Sequence, residues 1–514
     1  MVYIKSSPKQ TLLLPTNLRD IIPKDHICYL IEDIVNQLDF SNFDKEVEGP
    51  GNPSYHPRIQ LKVIINGVCE RVTSTRKLEK LTYENIIFRY LAENLNPDFH
   101  TIALFRKENR DLIKQSFLQT VEVAKQLNMV NLNKLYLDGI KVKANASKSK
   151  SFTKEEIDFL SDFVDKHLEE MDRVDDEEDK KYGDSNGEPR IPDHLTSKRK
   201  LREKIKEILK DMNKAKKQID NAKGRLKEEK VDEVNLTDID SRIMKMKKGS
   251  YEQAYNCQLI VEDKSEIIVG NNLSDSPVDV VETKPTMEKF KQEQRVSLNG
   301  VEVFQDNGYS SPITAEYYEE QGAIAYIPDV LSTQELHGKA KDIHKFDVDN
   351  FELDFAKNYA ICPARKIMKF HRQKRINRNQ SNRWTNVYRC RDCPSCQYNK
   401  QCITAGSGKR FKFIEINPFM RRIRLRFKTK EGVLKYNQRF HKGEIAQAHI
   451  EHNLGYREFK MRSKKSCENE VNLFSTAYNL KKIYNKLRKG SGRIGGTLKK
   501  IFFWLDFDFY FLGL

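Results

Sequence analysis

At residue 134 the hydrophobic period of this chain changes, and no other feature limits its fold as much. Upstream, residues 24–130 carry apolar side chains at helical spacing. Pro57 opens HPRIQLKVIINGVCERV, with Ile59, Val63 and Ile64 toward one side. Thr73-Ser74-Thr75 offer an N-cap for RKLEKLTYENIIFRYLAEN, Asn96-Pro97-Asp98 stop it, and a third helix is expected over about 101–129. Arg71, Arg76 and Lys77 at the first joint fit a DNA-reading helix pair or a plain bundle with basic ends. KLYLDGIKVKA then reads as a β-strand, apolar at Leu135, Leu137, Ile140 and Val142.

Beyond this strand the order of elements predicts an α/β fold. Residues 151–250 are strongly charged: 195–230 read as a long amphipathic helix or half of a coiled-coil hairpin, and DDEEDKKYGDSNGEP before it as an exposed loop. Strands return at 254–261 and 266–272, joined as a hairpin by Glu262-Asp263-Lys264-Ser265. A helix near 278–293, a strand at 301–305, a helix near 312–321 and a strand at 323–328 come next. Residues 332–420 look irregular, basic and Cys-rich, and 431–489 helical. Three antiparallel strands followed by alternating helix and strand make a mixed sheet with helices on its faces.

Charge narrows the function. Lys and Arg number 91 against 74 Asp and Glu, a net +17, which points to a polyanion as partner. The N-terminus has an apolar core of only three leucines, unlike a secretory signal. The final run, IFFWLDFDFYFLGL, is too short to span a bilayer and is interrupted by Asp506 and Asp508. The expected setting is a reducing cytoplasm, without a membrane.

Two acids carry the chemistry. Asp138 ends the apolar segment LYLD, and Asp306 follows VEVFQ before Asn307-Gly308-Tyr309-Ser310-Ser311. Carboxylates at strand ends sit in the crevice where open sheets bind ligands. Two from neighbouring strands can share Mg²⁺, and paired cations serve phosphodiester chemistry. Taken singly, each is a strand-end turn residue or helix cap.

PKDHICYLIEDIVNQLDFSNF, GNPSYHPRIQLKVIINGVCERVTSTRKLEKLTYENIIFRYL and NPDFHTIALFR, then LYLDGIKVKANASK, NLTDIDSRIMKMKKGSYEQAYNCQ, FQDNGYSS and ENEVNLFSTAYNLKKI, resemble bacterial insertion-sequence transposases of the DDE class, in the group named after insertion sequence eleven eighty-two. The resemblance spans about residues 10–490 and implies an RNase H-like catalytic domain, with Asp138 on its first strand and Asp306 after its fourth. It implies a third acid on a late helix, in the pattern Tyr, Arg, Glu, then Lys about seven residues on. Tyr436, Arg439 and Glu444 fit, but Glu451 stands where Lys is expected; Glu451 and Glu458 compete with Glu444. Tyr436 and Arg439 would contact phosphate. The implied reaction binds terminal inverted repeats of double-stranded DNA, cuts a strand at each end and transfers the 3′ ends to target DNA, using two Mg²⁺ (or Mn²⁺) ions on Asp138, Asp306 and Glu444 and a homodimer on paired ends. A catalytically decayed, DNA-binding copy and a same-fold metal-dependent nuclease are the alternatives.

The expected organisation is a helical DNA-binding domain (1–130), a catalytic domain in pieces (131–150, 251–345 and the helices of 421–490), a charged helical insertion (151–250), a Cys-rich insertion (346–420) and an aromatic tail (491–514). In the Cys-rich part, Cys390, Cys393, Cys396 and Cys402 come after Cys362. Such spacing suits tetrahedral thiolate binding of a structural Zn²⁺, with Cys362, Cys393, Cys396 and Cys402 as the set and Cys390 as the alternate; an iron–sulfur cluster would use the same spacing. Residues 409–430 hold nine Lys or Arg against one Glu, and RRIRLRFK reads as a strand with one basic side. Arg421, Arg422, Arg424 and Arg426 are therefore expected on DNA.

Overall fold

The structure, a computed structural model, describes residues 17–44, 54–182 and 233–491, apart from 248, 339–344, 347, 355, 379–380 and 404–410; of 183–232 it describes Lys206, Leu209, Lys210, Met212 and Asn213. The N-terminal part is helical: Ile27–Asn36, Pro57–Cys69, Thr75–Glu84, Ile86–Leu91, Phe99–Glu108 and Arg110–Gln126. His26 and His56 cap the first two of these helices through side chains that accept from Cys28 N and Arg58 N. Two expected helices are each broken by an asparagine. Asn85 leaves helical geometry and its side chain accepts from Ile87 N and Phe88 N, starting a new helix. Asn109, at ψ 56°, separates the last two without capping the second; its Nδ2 donates back to Phe105 O at 3.1 Å.

The strands form the sheet that the sequence order predicts. β1 (Lys134–Lys143) lies at its centre; β2 (Ser151–Thr153) and β3 (Glu233–Asn235) pair apart from it. β4 (Arg242–Lys245) and β6 (Ile268–Ser274) both pair antiparallel with β5 (Tyr251–Glu262), and β5 pairs antiparallel with β1. β7 (Glu302–Phe304) runs parallel to β1, and β8 (Ile324–Tyr326) parallel to β7. The order β6–β5–β1–β7–β8 is RNase H-like. Tyr136, Phe304 and Tyr326 stack across three strands, with ring centroids 5.0 and 4.7 Å apart. Such pairs each add roughly 0.5–1.5 kcal/mol beyond burial.

The helix Lys464–Ser491 covers this sheet and joins it to the N-terminal helices. Its polar residues explain the run ENEVNLFSTAYNL. Asn479 accepts from Ile268 N and donates to Ile268 O and Thr120 Oγ1, so one side chain satisfies the outer edge of β6 and ties it to the helix Arg110–Gln126. Glu470 accepts from Lys460 N and Met461 N, pinning the loop before the helix. Leu473, Phe474 and Ala477 between them, and Leu480 just after Asn479, are buried.

Three further expectations fail. Much of 332–420 is not irregular: β9 (Glu352–Asp354), β10 (Tyr359–Ile361), β11 (Ile367–Arg378), β12 (Ser381–Cys390) and β13 (Phe413–Ile416) form a second, antiparallel sheet. Its small core of Phe351, Ala360, Met368, Tyr388, Ile414 and Ile416 takes few apolar residues from each strand, which hides the period. RRIRLRFK is not a strand. Pro418–Arg426 is a helix, opened by Pro418 and by an Asn417 side chain that accepts from Met420 N. The start of the expected loop, through Tyr182, continues the helix Lys154–Tyr182. The expected helix over 195–230 lies outside the described residues except for the five named, of which Met212 packs with Ile157 and Val234. The aromatic tail after Ser491 also lies outside them. Among the described residues, no helix is long and apolar enough to cross a membrane.

Candidate active site

Asp138 stands in the middle of β1, not at its end. It is nevertheless open on one side, because β7 pairs with β1 only over Lys134–Tyr136. Beyond Tyr136 the edge facing β7 forms a crevice at the carboxyl ends of the parallel strands. Asp306 enters the same crevice from the turn after β7, where its Oδ1 accepts from Gly308 N at 2.8 Å. Arg439 holds the two together: its Nη2 lies 3.0 Å from Asp138 Oδ2 and 3.9 Å from Asp306 Oδ2. Burial pushes the Asp138 carboxyl up to about 6 despite the pull of Arg439, and the negative charge of Asp306 adds to the rise. Burial raises Asp306 too; Arg439 opposes this and Asp279 reinforces it.

Asp279 is the residue that the sequence reading missed. It starts a short 3₁₀ turn, Asp279–Val281, five residues beyond β6. β6 runs parallel to β1, so the strand-end rule that selects Asp306 applies to Asp279 as well. Its Oδ1 accepts from Asn256 Nδ2 at 2.7 Å and Gln258 Nε2 at 3.0 Å. Gln258 in turn accepts from the hydroxyl of fully buried Tyr309, which accounts for the tyrosine in FQDNGYSS.

The helix Arg439–Ala448 closes the crevice. It lies over the first acid at Gly443, where a Cβ would make ordinary contacts, 3.8 Å from Tyr136 Cβ and 3.9 Å from Asp138 Oδ2. Gln447 donates to Gly139 O at 3.3 Å. Glu444 comes directly after Gly443 on this helix; its side chain is outside the described set. Of its competitors, Glu451 lies 3.9 Å from Arg457, and Glu458 bridges the backbone of Lys143. Tyr436 is buried, edge-on to Phe427, and hydrogen-bonds to Arg439; burial pushes its hydroxyl up to about 12.

The other arginines lie on the helix Pro418–Arg426. Arg421 and Arg424 are 8% and 6% exposed, and both guanidiniums are held by Asp349. Arg424 also meets Asp329 at 2.5 Å. Arg422 pairs with Glu319, and Arg426 donates to Ala325 O at 2.6 Å.

Cys362, Cys390, Cys393, Cys396 and Cys402 line one cavity of about 20 Å³ beside the second sheet. Backbone amides point at two of the sulfurs: Lys366 N at Cys362 Sγ (3.4 Å) and Lys412 N at Cys393 Sγ (3.3 Å). Burial pushes the Cys390 thiol up to about 12. Among the described residues, no group of three or more His, Cys, Asp or Glu side chains is arranged as it stands to hold a metal ion.

Two protein families match the chain. One is described as a transposase DDE domain and matches residues 361–484; the other is a transposase domain (DUF772), matching residues 16–108. No curated protein matches it. An RNase H-like sheet joined to these two domains places the chain in the class of DDE transposases. It is an insertion-sequence transposase.

Proposed function

We propose that this transposase, of the insertion sequence eleven eighty-two group, binds the inverted repeats at its element's ends, cuts a strand at each and joins the freed 3′ ends to target DNA. The observation that carries this is the meeting of Asp138 and Asp306 at one guanidinium, in the crevice of the sheet. The donor set is all oxygen, which suits Mg²⁺ or Mn²⁺. A cation already lies between the two carboxylates, and its Nε, on a residue 4% exposed, has no hydrogen-bond partner among the described residues. Asp138 and Asp306, with Glu444 from the covering helix, would hold two divalent ions. Those ions would supply charge neutralisation for the attacking and leaving oxygens.

The chain's own groups bind and orient. Arg439 and Tyr436 flank the acids and would take a phosphate beside the cut. Arg422 and Arg426 extend that basic side, whereas Arg421 and Arg424 serve the fold through Asp349. Positioning and charge neutralisation are the main contributions a protein makes to phosphoryl transfer. Paired ends require a homodimer. The five thiols around one cavity, with amides aimed at Cys362 and Cys393, support a structural Zn²⁺ on Cys362, Cys393, Cys396 and Cys402, leaving Cys390 as a neutral thiol.

The test is strand cleavage of duplexes carrying the element's terminal repeats, in Mg²⁺. Cut and joined products are expected from the natural chain, and Asp138→Ala should bind the same DNA without cutting it. Cleavage that persists in Asp138→Ala would overturn the reading; binding without cleavage by the natural chain would mark a decayed copy, and cutting without joining a nuclease.

A further inference from the structure

We infer that Asp279 is a direct ligand of the divalent cation that Asp138 and Asp306 hold; this rests on the proposed function. Three observations carry it. The carboxylate is clamped on one side only: Oδ1 takes hydrogen bonds from Asn256 and Gln258, and among the described residues Oδ2 takes none. Amide donors that fix one oxygen and leave the other to the metal are the usual support of a ligating carboxylate. The free side faces the Asp306 turn: a Cβ on Gly308 would lie 3.6 Å from Asp279 Oδ2 and 3.0 Å from Asp306 Oδ1.

The backbone next to Asp138 is also shaped for this carboxylate. A Cβ on Gly139 would stand 2.8 Å from Asp279 Oδ1, so any larger residue there would have to shift the Asp279 carboxylate from its place beside Asp138. Finally, the cluster is not neutralised from within. Among the described residues its one buried cation is Arg439, which reaches Asp138 and Asp306 and whose Nε finds no partner among them. Asp275, four residues before Asp279, shows the contrast: it is paired with Lys464 at 3.0 Å and Arg242 at 3.9 Å, and is structural.

The measurement is Mn²⁺ binding by the full chain, read by calorimetry and by the rise in melting temperature that the ion causes, alongside cleavage across a range of Mn²⁺ concentrations. Asp279→Asn and Asp279→Ser should fold, weaken Mn²⁺ binding by at least about tenfold, and move half-maximal cleavage to correspondingly higher Mn²⁺. Asp279→Asn that binds Mn²⁺ as the natural chain does, while Asp138→Asn does not, would overturn the assignment of Asp279 and leave the proposed function standing. A natural chain that binds no Mn²⁺ and cuts no DNA would overturn both.

Discussion

Arg439 lies 3.0 Å from Asp138, with their side chains 5% and 13% exposed, so the centre carries its own cation. Removing one partner of a buried pair strands the other, at roughly 3–5 kcal/mol. Arg439→Gln should therefore melt well below the natural chain at pH 8. The deficit should shrink at pH 5, where Asp138 is protonated and less in need of a counter-ion, and Mn²⁺ should restore part of it at pH 8. Thermal melts at both pH values, with and without Mn²⁺, check this; an equal deficit under all conditions would show that Arg439 acts through packing alone.

The raised carboxyl of Asp138 sets a pH limit on cation binding. In the metal-free chain its folded value, about 6, exceeds the ordinary carboxylate value of 3.8. The stability it lends is then fully present below the ordinary value and lost as pH rises through about 6. A cation needs the ionised form, so Mn²⁺ affinity should hold above pH 7 and fall steadily below about 6. Calorimetric titrations from pH 5 to 8 measure it.

Glu282 offers a purely structural counterpart. It is 4% exposed, and its Oε1 accepts from Ser274 Oγ at 2.6 Å. Burial pushes its carboxyl up to about 7 from 4.5, so the neutral form belongs to the fold and its contribution disappears as pH rises through 7. Glu282→Gln keeps the shape and removes the charge. It should be more stable than the natural chain at pH 8–9, by up to ~3 kcal/mol, and no more stable at pH 5. Denaturant midpoints at the two pH values decide it.

How legible each element was in the sequence depends on how it is stabilised. β1, β5 and β7 announce themselves through short apolar runs, Leu135–Leu137, Leu259–Val261 and Val303–Phe304, and the first and last of these place Asp138 and Asp306 before any coordinates. Asp279 was hidden because its ligand-like setting is made by Asn256 and Gln258, polar residues that interrupt the apolar run of β5. Pro418–Arg426 misled because arginines at 422, 424 and 426 alternate with Ile423 and Leu425 at a period of two, and only Asn417-Pro418 signals the helix. That Arg421 and Arg424 face inward depends on Asp349, far earlier in the chain, a partner no local pattern reveals.

The thiol cavity makes its own prediction. With zinc held by Cys362, Cys393, Cys396 and Cys402, the purified chain should carry one Zn²⁺, Cys393→Ser should lose it and Cys390→Ser should retain it. The thiols of Cys393→Ser should then react freely with a thiol reagent. Metal analysis beside thiol counting distinguishes this from five unliganded cysteines, for which neither variant would change the metal content.

Gly139 provides the sharpest link between fold and site. A methyl group there would meet Gln258 Nε2 at 2.7 Å, Asp279 Oδ1 at 2.8 Å and Asn256 Oδ1 at 3.0 Å. These atoms are the ends of side chains, but they are bonded to one another and, through Gln258 Oε1, to Tyr309, so none can move alone. Gly139→Ala should cost about 1–3 kcal/mol of stability, as overpacking does. It should also lower cleavage more than it lowers stability, because the atoms it displaces hold Asp279. Combining it with Asp279→Ser removes one of the three clashes, so melting temperature should partly recover while cleavage does not. Recovery of both would mean that Gly139 matters to the fold and not to the chemistry.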